Sequence, residues 1–165
     1  MDPEQWTSFF MLVGTGSAAL AGLVFVAITI NLRGVAEDAT HRYRAINMLT
    51  GFSSAFILSA LAVMGQQTEQ ALGIEWLVVA LPATAINTNG YVQAFRLRGS
   101  SRYALSPFRI VGGTVCYLGQ IIGSLALLGG AGWGINLAAV ALVANFFFLI
   151  SGSWLLIMGT LPRTD

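Results

Sequence analysis

Four long stretches without a charged residue dominate this sequence. They cover the ranges 5–32, 45–68, 76–95 and 110–162. A helix that crosses a membrane needs roughly 20 apolar residues, because it rises about 1.5 Å per residue through about 30 Å of hydrocarbon. The first three stretches are each long enough for one such helix, and the fourth, with 53 residues, is long enough for two. The sequence therefore predicts a membrane protein with five spanning helices.

The composition agrees with this prediction, since only 9% of the 165 residues are charged, against about 25% in an ordinary soluble domain. The fourth stretch divides at its densest group of glycines, in the range 129–134. We therefore expect an all-α, polytopic helical bundle that forms a single membrane domain over 1–165, without a soluble domain. The predicted spans are about 8–31, 45–65, 75–95, 108–129 and 135–159.

The distribution of arginine predicts the orientation. All eight basic residues are arginine, and they fall in the 32–44 connection, the 96–109 connection and the C-terminal tail. With five spans, these three segments lie on one side of the membrane. Because basic loops stay on the cytoplasmic side, we expect the N-terminus outside and the C-terminus inside. Trp6, Trp76 and Trp133 fall at the predicted outer ends, as interfacial aromatic residues do.

Small residues recur at four-residue spacing in three of the predicted spans. Helices in lipid associate through close backbone approach, for which such stripes are typical. The stripes predict packing surfaces, either within one chain or between copies. Their members are Gly14, Ala18 and Gly22, then Gly51, Ala55 and Ser59, then Gly119 and Gly123.

Uncharged polar residues form a second pattern, at matched depth near the middle of the last three spans. Pro82 and Gly90 flank part of this layer and predict a break in the third spanning helix, because proline removes a helix hydrogen bond and glycine loosens the backbone. The layer could line a polar constriction for a small solute or ion, or its carboxamides could join neighbouring helices by hydrogen bonds. Its members are Asn87, Thr88, Asn89, Gln120 and Asn145.

Two groups of arginines on the predicted inner side are candidates for binding an anionic ligand or lipid headgroups. The alternative is that they only fix the orientation of the chain, as basic loops do in general. The residues are Arg42 and Arg44 before the second span, and Arg96 and Arg98 after the third.

Residue types that carry enzyme chemistry are scarce. The single histidine, His41, has no cysteine at metal-ligand spacing, and the single cysteine, Cys116, falls inside a span. No phosphate-binding glycine motif is present, and the connections are too short for a catalytic domain. We therefore expect no enzyme, no cofactor, no metal site and no nucleic-acid partner.

The opening segment from Phe9 to Ile28, FFMLVGTGSAALAGLVFVAI, resembles a recurrent family of small bacterial multi-span membrane proteins. The resemblance covers the first span and its exit at Asn31-Leu32. It implies a multi-pass protein of the bacterial inner membrane, and it implies no particular activity.

Two functions fit these patterns. The first is a homo-oligomeric pore or passive channel for an ion or small solute, with the polar layer as its lining. The second is a non-catalytic accessory or scaffold subunit, whose small-residue stripes dock a larger membrane partner. The interrupted, polar third span favours the pore, because a scaffold has no need of it.

Overall fold

The computed structural model describes residues 3–65, 67–96 and 107–160. This part of the chain contains six α-helices and no strand, and five of the helices are long and apolar enough to cross a membrane. The all-helical fold with five such helices is thereby confirmed. The helices are α1 (Pro3–Ile30), α2 (Leu32–Glu37), α3 (Ala39–Val63), α4 (Glu69–Arg96), α5 (Pro107–Leu128) and α6 (Trp133–Thr160).

The segment between the first two spans is helical, contrary to the connection expected over 32–44. The short α2 fills its first half, and α3 begins at Ala39, six residues before the predicted span. Asp38 caps α3, because its side chain accepts hydrogen bonds from the Thr40 and His41 amides at 2.7 and 3.4 Å. Hydropathy locates the apolar part of a helix and misses polar first turns, so the sequence placed His41 and Arg44 in a loop when both lie on α3.

The predicted turn between the last two spans is present. α5 ends at Leu128, and Gly130 follows with a φ of 76°, which suits a residue without a Cβ. The Gly130 amide donates to Leu127 O at 2.9 Å, and the Ala131 amide donates to Ala126 O at 2.8 Å. These two bonds form a Schellman motif, after which α6 starts at Trp133.

α3 is the central helix of the bundle. It packs against α1, α4 and α6, while α5 packs between α4 and α6, and α1 contacts little besides α3. Neighbouring helices are antiparallel, so the first turns of α3 and α5 meet the last turns of α4. We call this the arginine end, because Arg44, Arg96 and Arg109 lie there, and we call the opposite end the far end.

Apolar side chains fill the bundle near the far end. Phe10, Leu58, Trp76 and Leu127 are at most 2% exposed and belong to one cluster. The Trp76 indole donates to Leu58 O at 3.0 Å, which satisfies its polar atom in this apolar setting. Trp76 is therefore a core residue and does not face outward at its end of the bundle, whereas Trp133 is 56% exposed.

Most of the small-residue positions lie at contacts between helices of this one chain. A Cβ added to Gly14 would lie 3.1 Å from Ser59 Cβ, across the α1–α3 contact. On α5, a Cβ at Gly119 would lie 2.9 Å from Ala141 Cβ, and one at Gly123 would lie 2.7 Å from Gly134 O, both on α6. These glycines allow the backbones to approach closely.

Of the other positions in the small-residue stripes, some are buried and some are exposed. Gly51 faces the Leu149 side chain, and Ala55, at 1% exposure, belongs to the apolar cluster. Ala18 and Gly22 are exposed on α1, and a Cβ at Gly22 would meet nothing within 4 Å. Only the first of the three α1 positions therefore contributes to packing within the chain.

The break expected in the third spanning helix is not present. α4 is continuous from Glu69 to Arg96 and passes through both Pro82 and Gly90. Pro82 is exposed and lies beside a surface groove between α3 and α4. Gly90 is buried, and a Cβ there would overlap the carboxamide of Asn47 on α3. The glycine makes room for a side chain; it does not loosen the helix.

Candidate functional site

A small polar cavity of about 30 Å³ lies between α3, α4, α5 and α6, in the half of the bundle nearer the arginine end. Each polar side chain that lines the cavity is carried by one of these four helices. The cavity therefore lies where their polar faces meet. The lining has two levels. The basic level contains Arg44 and Arg109 with Thr40 and Tyr91, and the amide level contains Asn47, Asn87, Tyr117 and Asn145.

The basic level brings together two guanidinium groups. Arg44 lies five residues into α3, about 8 Å along the helix axis, and is only 6% exposed. Arg109 lies in the first turn of α5, where its Nη2 donates to Phe148 O at 3.2 Å. Among the residues that the structure describes, no Asp or Glu lines the cavity. Buried arginines are costly in an apolar environment unless their charge and their N–H groups are compensated.

The amide level is a hydrogen-bonded network that joins α4, α5 and α6, with a longer contact from α3. Asn87 on α4 is 2% exposed, and its Nδ2 donates to Ala83 O at 3.0 Å and to Tyr117 Oη at 2.8 Å. The Tyr117 hydroxyl is also hydrogen-bonded to Asn145 on α6. Asn47 on α3 donates through Nδ2 to Asn87 O at 3.4 Å, which is a long contact.

Three glycines leave room for polar groups of the cavity. Besides Gly90 beside Asn47, a Cβ at Gly113 would lie 2.5 Å from Tyr91 Oη, and one at Gly152 would lie 2.7 Å from Arg109 Nη2. Each glycine is on a different helix from the polar group that it accommodates. The polar side chains therefore occupy space that larger residues on the facing helices would fill.

Several buried polar atoms at the site have no hydrogen-bond partner within the described part of the chain. They include Asn47 Oδ1 and Arg109 Nη1 at the cavity. Gln120, one turn beyond Tyr117 toward the far end, has neither its oxygen nor its nitrogen paired there. Buried polar groups without partners are uncommon and mark positions where water, an ion or a solute binds.

The polar interior does not extend to the far end. Beyond Gln120 the bundle is filled by the apolar cluster that contains Phe10, Trp76 and Leu127. The site is thus a polar recess that reaches from the arginine end to about the middle of the bundle and is closed by apolar side chains on the other side.

Three of the five residues predicted for the polar layer are buried in the bundle, and two of them, Asn87 and Asn145, line the cavity. Asn87, Gln120 and Asn145 are buried inside the bundle, at 2%, 2% and 3% exposure. Thr88 and Asn89 are exposed on the outer surface of α4. Adjacent helix positions are turned by about 100°, so residues that follow Asn87 directly face away from the interior.

Sequence analysis missed Asn47, Tyr91, Arg109 and Tyr117 as members of the site. Asn47 lies three residues after Arg44 and so on the same helix face, which was a usable signal. Tyr117 falls in the middle of the fourth predicted span, away from both predicted membrane interfaces. The contact between Arg109 and α6 depends on how the two helices pack, and no local pattern indicates it.

Of the four arginines that are candidates for binding an anionic ligand or lipid, only Arg44 lines the cavity. Arg42 is exposed; its Nη1 donates to Ala36 O at 3.4 Å, and its guanidinium lies 5.9 Å from the centre of the Tyr43 ring. Arg96 is exposed at the last position of α4. Arg98 lies outside the described residues.

Within the described ranges, no group of three or more His, Cys, Asp or Glu residues lies close enough together to hold a metal ion. Cys116 is a buried free thiol on α5. Comparisons of the chain with protein-family models, with curated proteins and with solved structures give no match. The site must therefore be interpreted from its own chemistry.

Proposed function

We propose that this chain is a multi-pass protein of a bacterial inner membrane, with its arginine end in the cytoplasm, that provides a passive pathway for a small solute or ion. The polar cavity is the part of this pathway that selects the solute. The observation that carries the proposal is the concentration of buried polar side chains around one cavity, inside a bundle whose five long helices are otherwise apolar. Irregular or polar features at membrane depth are tolerated where they line a cavity.

In this proposal the pathway runs through each chain and not along a seam between copies. Asn87 and Asn145 face the interior of the single bundle, whereas Thr88 and Asn89 face outward. The solute enters from the arginine end, crosses the basic level and reaches the amide level. The apolar cluster around Trp76 forms the closed gate, since hydrophobic constrictions stop conduction by excluding water.

Flux through liposomes that contain the purified protein tests this function. We expect the wild-type protein to pass an ion or small solute, and Tyr117→Phe to change that flux by severalfold, because it removes the hydroxyl that joins Asn87 to Asn145. Asn87→Leu should abolish the flux, because an apolar side chain replaces the amide that faces the cavity.

Asn89→Leu is the matched control, because it makes the same chemical change two residues away on the exposed face of α4. It should keep the wild-type flux. If Asn89→Leu loses flux while Asn87→Leu and Tyr117→Phe retain it, the pathway lies between copies and the intrachain pathway is wrong.

The alternative function is an accessory or scaffold subunit, and the position of α1 favours it. α1 packs mainly on α3, and its outer face presents Ala18 and Gly22 with open space beside the latter. Such a surface suits a second copy or a larger membrane partner. A scaffold would show no flux under any condition, and its association would be sensitive to Gly22→Leu and insensitive to Asn87→Leu. Native mass spectrometry from mild detergent would show which variant lowers the assembled mass.

A further inference from the structure

We propose that the solute is a small monovalent anion of about halide size, bound at the basic level of the polar cavity between Arg44 and Arg109. This inference rests on the proposed function for the route by which the anion arrives. The binding site itself is argued from the cavity alone.

The described part of the cavity wall is positively charged. Two arginines line one cavity, and none of the described residues in its lining carries a carboxylate. Their like charges repel each other, more strongly in a protein interior than in water. An anion between them offsets this repulsion, whereas a cation would add to it. Arginine also remains protonated when buried, so the positive charge is retained in the site.

Asp38, an acidic residue near Arg44, is engaged in other contacts. Asp38, whose charge also acts on Arg44, accepts hydrogen bonds from the Thr40 and His41 amides at the start of α3. Its other oxygen lies 3.7 Å from His41 Nε2. Asp38 does not line the cavity, so its carboxylate does not occupy the position between the two guanidinium groups.

The site also offers hydrogen-bond donors to an anion. Arg109 Nη2 is bound to a backbone carbonyl, Phe148 O, while Nη1 is buried and has no partner in the described part of the chain. The hydroxyls of Thr40 and Tyr91 line the same level and can each donate a hydrogen bond. An anion accepts hydrogen bonds from N–H and O–H donors, so the site offers what an anion needs.

The volume of the cavity favours a small anion over a large one. A volume of about 10–15 Å³, measured for a water-sized probe, holds one water, so a cavity of about 30 Å³ holds two such occupants. One halide ion and one water fit this volume, and the water can donate to the unpaired Asn47 Oδ1. A lipid phosphate or an organic phosphate exceeds this volume and could reach the two arginines only from the mouth of the cavity.

Two measurements test the inference. The first is the thermal stability of the detergent-purified protein in chloride or bromide against gluconate at equal ionic strength. A bound halide should raise the unfolding midpoint by a few degrees, because a ligand of the folded state stabilises it. The second is chloride efflux, compared with potassium efflux, from phosphatidylcholine vesicles that contain the protein.

Arg44→Gln and Arg109→Gln each remove one positive charge and keep a hydrogen-bonding side chain. Each should abolish the halide effect on stability and lower chloride efflux at least tenfold. Arg96→Gln is the matched control, since it removes the same charge from an exposed position at the same end of the bundle. It should retain both the halide effect and the efflux.

The outcomes separate this inference from the proposed function. Potassium efflux that exceeds chloride efflux and depends on Asn87 would keep the passive pathway and overturn the anion site. A halide effect that is lost in Arg44→Gln and Arg109→Gln, without any efflux, would support the anion site and overturn the pathway. A halide effect that is unchanged in both arginine variants would overturn the inference.

A lipid headgroup is the other source of negative charge at the arginine end. Repeating the stability measurement with added phosphatidylglycerol, in gluconate, distinguishes it from a free anion. The inference predicts no stabilisation that depends on Arg44 and Arg109 under these conditions. If phosphatidylglycerol reproduces the halide effect and the two arginine variants remove it, the site binds lipid and the inference is overturned.

Discussion

Individual residues set the shape of the polar cavity, and the residues that lack a side chain are as important as those that carry polar atoms. Gly90, Gly113 and Gly152 each leave space for a polar group on another helix, namely Asn47, Tyr91 and Arg109. Glycine in a helix costs roughly 0.5–1 kcal/mol relative to alanine. Its use beside three polar groups of one site indicates that room for these groups outweighs that cost.

Gly90→Ala should therefore lower stability even though alanine is the better helix former. The added Cβ would overlap the Asn47 carboxamide, and such overpacking costs about 1–3 kcal/mol. The expected net loss is up to about 2 kcal/mol after the gain of about 1 kcal/mol in helix propensity. Reversible unfolding in mixed detergent micelles, followed by circular dichroism, measures it.

Gly16→Ala is the control, because a Cβ at Gly16 would meet nothing within 4 Å. It should leave stability unchanged or raise it by up to about 1 kcal/mol. Equal stability of the two variants would mean that Asn47 does not occupy the space beside Gly90.

At the scale of single elements, α4 shows how a helix can contain proline without breaking. Pro82 has no N–H to donate to the carbonyl four residues earlier, yet α4 continues through it for 14 further residues to Arg96. The proline lies on the exposed side of the helix. The polar function of α4 therefore comes from the buried face that carries Asn87, and not from unwound backbone.

Pro82→Ala should accordingly leave the cavity and the flux intact. The substitution restores one helix hydrogen bond, so stability should be equal to or greater than that of the wild type, by up to about 3 kcal/mol. Flux and unfolding measurements on the same preparation check both expectations. A loss of flux with unchanged helical content would show that a bend at Pro82 is needed for conduction.

At the scale of the whole molecule, the bundle has two chemically different ends. The arginine end carries the basic level of the cavity, and the far end carries the apolar cluster and the 64–68 connection before α4. The distribution of arginine predicts that the first end faces the cytoplasm. The proposed pathway depends on this orientation, because it gives the cavity its entrance on the cytoplasmic side.

Single-cysteine labelling tests the orientation. Gln70 and Glu37 are exposed at the far end and the arginine end, respectively. A membrane-impermeant maleimide should label Gln70→Cys in intact spheroplasts, and it should label Glu37→Cys only after permeabilisation. The native Cys116 is buried within α5 and should react in neither case. The reverse pattern of labelling would overturn the predicted topology.

Part of the site could be read from the sequence. Asn87, Gln120 and Asn145 were identified because a polar residue in an apolar stretch is conspicuous, whatever the fold. Thr88 and Asn89 were grouped with Asn87 by their adjacency, although a helix turns neighbouring residues to different faces. Arg109 was assigned only to topology, because its burial arises from contact with α6, which is remote in sequence.

The sequence by itself determined the number of helices that are long and apolar enough to span a membrane, and their approximate limits, because the cost of placing charge in an apolar environment is a property of each segment alone. Tertiary structure decided which polar groups meet. Asn47 reaches α4 only because Gly90 faces it, and Tyr117 joins Asn87 to Asn145 only because α4, α5 and α6 pack side by side. Such contacts depend on how each helix is rotated about its own axis relative to its neighbours. Because these helices are apolar on all faces, their sequences do not determine that rotation.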